Sequence, residues 1–228
     1  MRRALRDLPN ALFLRPSQEI VYRELFIRDL MKLGLADDFY PVRGAANHGL
    51  LYLIARCFME TEVRSVIEFG VGQTSILIDQ LSRVAGHEVR VASIEHDEDW
   101  ATRIADKVSH EITVAPLVNY QVAPQVAFYD PTLIPNGPFE MMIVDGPVAS
   151  SKEWRFARTG FCQICAERLA EDFVIVIDDA ERLGERMLVS QTRNLLTKQG
   201  RKFNEGEVRA LKRQYVFAGG RHSHVAYF

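Results

Sequence analysis

The chain has only three cysteines, Cys57, Cys162 and Cys165, no long apolar run and no surplus of charge of either sign. Three thiols cannot build a disulfide framework, and they suit a reducing compartment. No window approaches the ~18 apolar residues that a membrane span needs. Met1-Arg2-Arg3 is basic, but charges interrupt the residues that follow and leave no apolar h-region, so no secretory signal is indicated. A soluble, cytoplasmic protein is the expectation. Lys and Arg number 28 against 30 Asp and Glu, a formal net charge of −2. Nonspecific nucleic-acid binding needs a basic surplus, so no such partner is expected. Repeats, low-complexity tracts and Gly/Ser linkers are also missing. What is present is ordinary globular composition, 47% hydrophobic and 25% charged over 228 residues. That rules out extended disorder, collagen and coiled coil for the whole chain, and the length supports a core without staples.

Hydrophobic periodicity organises the chain. From Ser17 to Leu33, Ile20, Val21, Leu25, Phe26, Leu30 and Leu33 follow helical spacing, and Gly34 supplies a stop. A second helical pattern runs from Asn47 to Met59. Apolar or β-branched runs then appear at Ser65–Phe69, Val89–Ile94, Ile112–Leu117, Phe139–Val144 and Phe173–Ile177. Helical patterns at Thr74–Val84, Glu98–Val108, Lys152–Leu169 and Ala180–Lys198 fill most of the gaps. Crossovers of that length imply parallel βαβ units. Val208–Ala218, Gly219-Gly220 and Ser223–Phe228 read as two antiparallel strands around a short loop. The expected fold is α/β, a doubly wound, mostly parallel seven-stranded sheet with an antiparallel C-terminal hairpin. Residues 1–63 form a helical extension or cap, and 64–228 one Rossmann-like unit. Ligands of such sheets sit beyond the carboxyl ends of the strands, at the switch point.

The first strand ends in Glu68-Phe69-Gly70-Val71-Gly72-Gln73-Thr74-Ser75. Gly70 and Gly72 allow a sharp turn and close approach of a ligand, and Thr74 or Ser75 can cap the helix that follows. A dinucleotide fingerprint wants a third glycine where Ser75 stands, which weakens a nicotinamide reading. A plain strand-to-helix turn is the bland alternative. The second strand ends at Glu95, 23 residues after Gly72, about the distance at which a carboxylate accepts both hydroxyls of a ribose. Together the two features favour a nucleoside ligand.

From about Arg64 onward, the sequence resembles the class I S-adenosylmethionine-dependent methyltransferases. Val66-Ile67-Glu68-Phe69-Gly70-Val71-Gly72 is similar to the first motif of that family, and Glu95 to its ribose-binding acid. The resemblance places Glu68 beneath the methionine end of S-adenosylmethionine and frames the adenine with the loop after the third strand, here Ala115, Pro116 and Leu117. The antiparallel last pair of strands is a family trait as well. Asp145-Gly146-Pro147 and Asp178-Asp179-Ala180-Glu181-Arg182 are similar to a less characterised branch of the superfamily.

Asp145 ends the fourth apolar strand, and Asp178-Asp179 the fifth. Neighbouring strands would bring the three acids together, and both members of the pair can face one site only if the strand has already ended. Carboxylates so placed repel one another and require a cation. Mg²⁺ is one candidate, and Arg155, Arg158 and Arg182 are the other. The metal reading resembles metal-dependent small-molecule and sugar O-methyltransferases, which would make Asp145, Asp178 and Asp179 ligands. The catalytic assignment falls on Asp145. Some sugar enzymes carry an aspartate base two residues after the first ligand, where this chain has Pro147, so His96 and His48 stand as further base candidates.

Other features are discounted. Cys162 and Cys165 fall within a helical pattern and read as buried structural thiols. Phe128 and Tyr129 read as core or cover. His222 and His224 lack further ligands, and Arg209, Lys212, Arg213 and Arg221 read as a solvated basic edge. The N-terminal helices and Tyr40-Pro41-Val42-Arg43 would cover the cleft or form a dimer face. The expected activity is methylation of an oxygen on a small molecule or glycan, with S-adenosylmethionine and with or without Mg²⁺. The alternatives are a nicotinamide-dependent oxidoreductase, an aminopropyl transferase, or a cofactor-binding domain without turnover.

Overall fold

The structure, a computed structural model, describes residues 14–41, 45–120, 126–149, 152 and 154–228. The basic start Met1-Arg2-Arg3 and the Val42-Arg43 part of the expected cover lie outside the described residues. Helix α1, Gln18–Leu33, stops where expected, because Gly34 turns left-handed (φ 69°) and its N–H returns to the Leu30 and Met31 carbonyls. Asn47 caps α2, His48–Glu60, by accepting from the Leu50 N–H.

The alternation then follows as β1 Ser65–Phe69, α3 Gln73–Val84, β2 Arg90–Glu95, α4 Glu98–Ala105, β3 Ile112–Val114, β4 Leu117–Tyr120, β5 Val126–Tyr129, β6 Phe139–Val144, α5 Phe161–Arg168, β7 Leu169–Ile177, α6 Leu183–Lys198, β8 Phe203–Arg209 and β9 Arg213–Gly219. The seven-stranded sheet runs β3-β2-β1-β6-β7-β9-β8. The first five are parallel, and β9 is antiparallel to both β7 and β8. The switch point therefore lies between β1 and β6.

Successive residues of the central strands feed opposite cores. Val66, Met141, Ile143, Val174 and Val176 pack with Phe26, Leu30, Leu50, Ile54 and Leu77 of the helices α1 to α3. Ile67, Phe69, Met142, Val144, Ile175 and Ile177 pack with Phe161, Ile164 and Leu188 of α5 and α6. Strands buried on both faces read as continuous apolar runs, which is why β1, β6 and the end of β7 were legible. Among the described residues no helix is long and apolar enough to cross a membrane.

Several expectations need correction. The run Ile112–Leu117 is two strands. Pro116 lacks the N–H that a continuing ladder needs, so β3 stops, and β4 pairs instead with β5 in a separate two-stranded ribbon. The pattern Lys152–Leu169 is mostly not α-helix. A 3₁₀ turn, Ala157–Gly160, leads into the short α5, and a Cβ on Gly160 would lie 2.4 Å from Phe128 Cβ. The hairpin is real but displaced. It joins β8 to β9 through Ala210-Leu211-Lys212, and Gly220–Tyr227 is a 3₁₀ segment, so His222 and His224 lie on no strand. Gly220 (φ 61°) turns the chain out of β9 rather than closing a hairpin.

Candidate functional site

The loop after β1 is built on two glycines used in different ways. Gly70 has φ 89°, and a Cβ there would lie 2.6 Å from the Gly146 nitrogen, so a side chain is excluded twice over. The approach is close because the Asp145 N–H, leaving β6, donates to the Phe69 carbonyl at 2.9 Å. A Cβ on Gly72 would meet nothing within 4 Å. Its N–H donates to Ser75 Oγ at 2.9 Å, and Ser75 Oγ donates to Glu68 Oε2 at 2.5 Å.

Glu68 is fully buried. Burial pushes its carboxyl up to about 7, against the pull of the Ser75, Thr74 and Ser93 hydroxyls. Its Oε1 is buried and has no hydrogen-bond partner among the described residues. On the other side of Oε2, Ser93 Oγ lies at 3.1 Å and also meets His110 Nε2 at 3.0 Å. His110 Nδ1 lies 3.3 Å from Asp79 Oδ1, which accepts from Ser109 N and Oγ at 2.7 and 2.6 Å. Ser93, His110 and Asp79 have the sequence of contacts of a hydrolase triad, but the Ser93 hydroxyl is buried and turned to Glu68 Oε2. The set serves to hold Glu68.

Glu95 ends β2 over the same loop. Its Oε1 accepts from His96 N at 2.7 Å and Asp97 N at 3.0 Å, and its Oε2 from Val71 N at 3.1 Å. His96 Nδ1 lies 2.6 Å from Oε1. Burial opposes ionisation of Glu95, but the His96 ring and these N–H groups outweigh it and lower the pKa. Oε2 keeps a lone pair for a hydroxyl. His96 is engaged with Glu95 through Nδ1, and His48 Nδ1 lies 3.2 Å from Glu19 Oε1.

The residues expected near the cofactor do converge. Thr74 is buried in the first turn of α3, and the buried Ala115 donates its N–H to the Glu95 carbonyl at 2.7 Å, while Pro116 is exposed beside it. Trp100 carried no signal in the sequence, and Tyr40 and Tyr129 have contacts that the sequence did not show. The half-exposed Trp100 donates Nε1–H to the Val71 carbonyl at 2.7 Å. Gln73 Oε1 accepts from Tyr40 N at 2.6 Å, which places the exposed Tyr40 at the start of α3. Phe128 and Tyr129 are both buried, as expected, but Tyr129 is more than core. Its hydroxyl is unpartnered among the described residues and lies 2.2 Å from where a Gly146 Cβ would be. Burial, and then the Glu95 carboxylate, push this hydroxyl well above the usual tyrosine range.

The second half of the site lies at the ends of β6 and β7, which finish level, Val144 opposite Ile177. Asp178 and Asp179 follow the end of β7, and Asp179 adopts φ 56°, so both acids turn into one cluster with Asp145. One carboxylate oxygen from each lies within 4.8 Å of the others. Arg158 spans them, 3.4 Å from Asp145 Oδ1, 3.2 Å from Asp179 Oδ2 and 3.6 Å from Glu185 Oε1. Arg182 lies 2.7 Å from Asp179 Oδ2. Arg155 makes no ion pair with the cluster. Lys212 Nζ lies 2.9 Å from Asp178 Oδ2 and 3.3 Å from Asp179 Oδ1, and Gln214 Nε2 donates to Asp178 Oδ1 at 2.6 Å. The basic tail is therefore not wholly a solvated edge, for Lys212 is only 9% exposed.

Burial and then the charge of Asp178 push Asp145 well above the usual carboxylate range. Burial opposes ionisation of Asp178, but Lys212 and Gln214 hold it below that range. Burial also raises Glu185 to about 7. The donor set does not fit a divalent ion. Both oxygens of Asp178 and the Oδ2 of Asp179 already face N–H donors, and although Asp179 Oδ1 has no hydrogen bond, the Lys212 ammonium stands 3.3 Å from it, between the two acids. Cys162 and Cys165 carry no chemistry here. Cys162 stands in the first turn of α5 rather than mid-helix, yet burial raises its thiol to about 11.

No protein-family model matches the sequence, and no curated protein is similar to it. Solved structures do match. A methyltransferase from Pyrococcus furiosus superposes with a TM-score of 0.52 at 12% identity, over 89% of this chain and 96% of that one. The O-methyltransferase TomG of tomaymycin synthesis from Streptomyces achromogenes, in complex with SAM, gives 0.48 at 16%, over 92% of both. An O-methyltransferase from Bacillus cereus in complex with SAH gives 0.48 at 13%, over 92% of this chain and 93% of that one. The likeness at these identities is one of fold. The chain has the fold of the class I S-adenosylmethionine-dependent methyltransferases.

Proposed function

We propose that this protein binds S-adenosylmethionine at the switch point and transfers its methyl group to an oxygen of a small molecule or glycan. The observation that carries the proposal is the pairing of two differently treated acids across one open glycine loop. Glu95 is held ionised with a lone pair to spare, and Glu68 has a buried oxygen with no partner beside open space at Gly72. Glu95 accepts the ribose hydroxyls in this reading. Glu68, buried and held by Ser75 and Ser93, lies beneath the methionine end. Ala115 and Pro116 border the adenine, and Gly70, Gly72 and Thr74 line the turn. The bound cofactor supplies an electrophilic methyl on a sulfonium, so the chain mainly aligns the acceptor and moves one proton.

Asp145 is the residue for that proton. Its side chain is 21% exposed, whereas Asp178 and Asp179 are 0% and 3% exposed, so only Asp145 can meet a substrate. Burial and the Asp178 charge raise its proton affinity, and Arg158 and Lys212 favour the ionised form from which it acts as a base. The contact of Gln73 with Tyr40 brings Tyr40 to the start of α3 beside the glycine loop, which supports a covering role for the residues around it. A nicotinamide cofactor fits less well. At the third-glycine position Ser75 is buried and bonded to Glu68, which denies a pyrophosphate its close approach.

Thermal unfolding with S-adenosylhomocysteine tests the proposal. At 100 times Kd a ligand adds about 2.7 kcal/mol, a Tm rise of roughly 5–10 °C for a chain of this size. That rise, with none from NAD, is the expected result. No rise, checked by calorimetry, overturns the proposal.

A further inference from the structure

The three-aspartate cluster has the shape of a metal site, yet it carries its own cations. Lys212 reaches Asp178 and Asp179 from the turn between β8 and β9, and that turn is fastened on every side. Arg15 N–H donates to the Ala210 carbonyl at 3.1 Å, and Leu211 N–H to Glu19 Oε2 at 3.2 Å. Arg213 N–H donates to Glu181 Oε2 at 2.9 Å, and the Arg213 carbonyl accepts from Ala180 at 2.7 Å. Gln214 then joins Asp178 to Asn47, the cap of α2. A lysine on a mobile loop pays in side-chain entropy to hold one geometry, but this backbone is fixed before the side chain is counted.

Charge balance agrees with the geometry. Asp145, Asp178 and Asp179 face Arg158, Arg182 and Lys212, three acids against three cations. The remaining acid, Glu185, is pushed toward its protonated form by burial. A divalent ion between Asp178 and Asp179 would stand against an ammonium and displace its hydrogen bond. Hard divalent cations need carboxylate oxygens free to point at them.

We propose that Lys212 occupies the place of a divalent cation, so that the cluster is a metal-independent site in which a lysine does the charge compensation of a metal. Lys212 is a positioning residue. It holds Asp178 and Asp179, and with Arg158 it fixes Asp145 at the open edge. The consequence for catalysis, acceptor deprotonation without a bound ion, rests on the methyl-transfer reading above. The exchange of lysine for metal rests on the cluster alone.

Titration with Mn²⁺ tests it, read by the loss of the free-ion electron paramagnetic resonance signal and by Tm. The wild-type chain is expected to bind no Mn²⁺ at the cluster and to keep its Tm, within about 1 °C, in EDTA or Mn²⁺. Lys212→Ala vacates the position and is expected to bind one Mn²⁺ and to recover Tm by several degrees, a gain lost again in Lys212→Ala/Asp178→Asn. Lys212→Arg, which keeps a cation, should stay indifferent to the ion. Stoichiometric Mn²⁺ binding by the wild type that Asp178→Asn abolishes overturns the proposal. So does a folded Lys212→Ala that takes up no ion. If Lys212→Ala does not fold, the wild-type titration and Lys212→Arg still decide. None of these readouts involves S-adenosylhomocysteine, so a failure here is distinct from failure of the cofactor reading.

Discussion

The two halves of the cleft treat buried acids in opposite ways. At the ends of β1 and β2, Glu68 and Glu95 are met mostly by neutral donors, the hydroxyls of Ser75 and Ser93 and the N–H groups of Val71, His96 and Asp97. His96 is the one titratable partner, beside Glu95. That half keeps unspent capacity, an unpartnered oxygen on Glu68 and open space at Gly72. At the ends of β6 and β7, Asp145, Asp178 and Asp179 are met by arginine and lysine of the same chain. The first half is unfinished without a ligand. The second carries its own cations, although Asp179 Oδ1 and Glu185 Oε1 have no hydrogen-bond partner among the described residues, and Asp145 is the aspartate of the three that opens outward. A cluster of acids is therefore a poor sign of a metal until its cations have been counted.

Substitutions that break one half and spare the other sharpen this contrast. Arg158→Ala should have the largest effect, because it leaves Asp145, Asp179 and Glu185 without their common partner. Breaking a buried pair costs about 3–5 kcal/mol, measurable as a lower urea midpoint at unchanged slope. Glu68→Gln should act in the reverse direction. Folding raises this carboxyl from 4.5 to about 7, so the fold is penalised increasingly as pH climbs through that window. Glutamine removes the penalty. The unliganded variant should be more stable than the wild type by up to about 3 kcal/mol at pH 8, with the difference vanishing near pH 4.5. A variant less stable at pH 8 contradicts the buried, proton-avid Glu68.

Glu95→Ala removes a charged acceptor from the cofactor side. It should weaken S-adenosylhomocysteine binding by about 10- to 100-fold, the worth of one charge-assisted hydrogen bond, and calorimetry would show it. Trp100→Phe should be mildest. It loses only the bond to the Val71 carbonyl, about 1 kcal/mol, and a change of Tm beyond a few degrees would mean that the indole does more than steady the loop.

Much of this architecture was legible in the residues because it depends on local rules. Gly34 stops a helix and Asn47 starts one, β1 announces itself as a run that ends in a glycine turn, and β6 and β7 as apolar runs that lead into carboxylates. Even the condition for Asp178 and Asp179 to share a site, that the strand must already have ended, is met through the left-handed Asp179. What escaped depends on long-range pairing. The turn at Ala210-Leu211-Lys212 has neither glycine nor proline, so it reads as strand interior, and Lys212 looked like a solvated edge residue. Its partner Asp178 lies 34 residues away. The contacts of Ser93 with His110, and of Trp100 with Val71, likewise join separate elements and leave no spacing to detect. Pro116 did carry a readable signal, because it cannot donate to a ladder, and it split the run Ile112–Leu117.

The most direct test of the contrast is a calorimetric titration of the wild-type chain with S-adenosylhomocysteine in EDTA. Saturable binding at one site per chain, unchanged when Mg²⁺ replaces EDTA, is the result predicted for a cofactor half that needs a ligand and a carboxylate half that needs no ion. Absence of binding in both buffers, or binding that appears only with Mg²⁺, would contradict it.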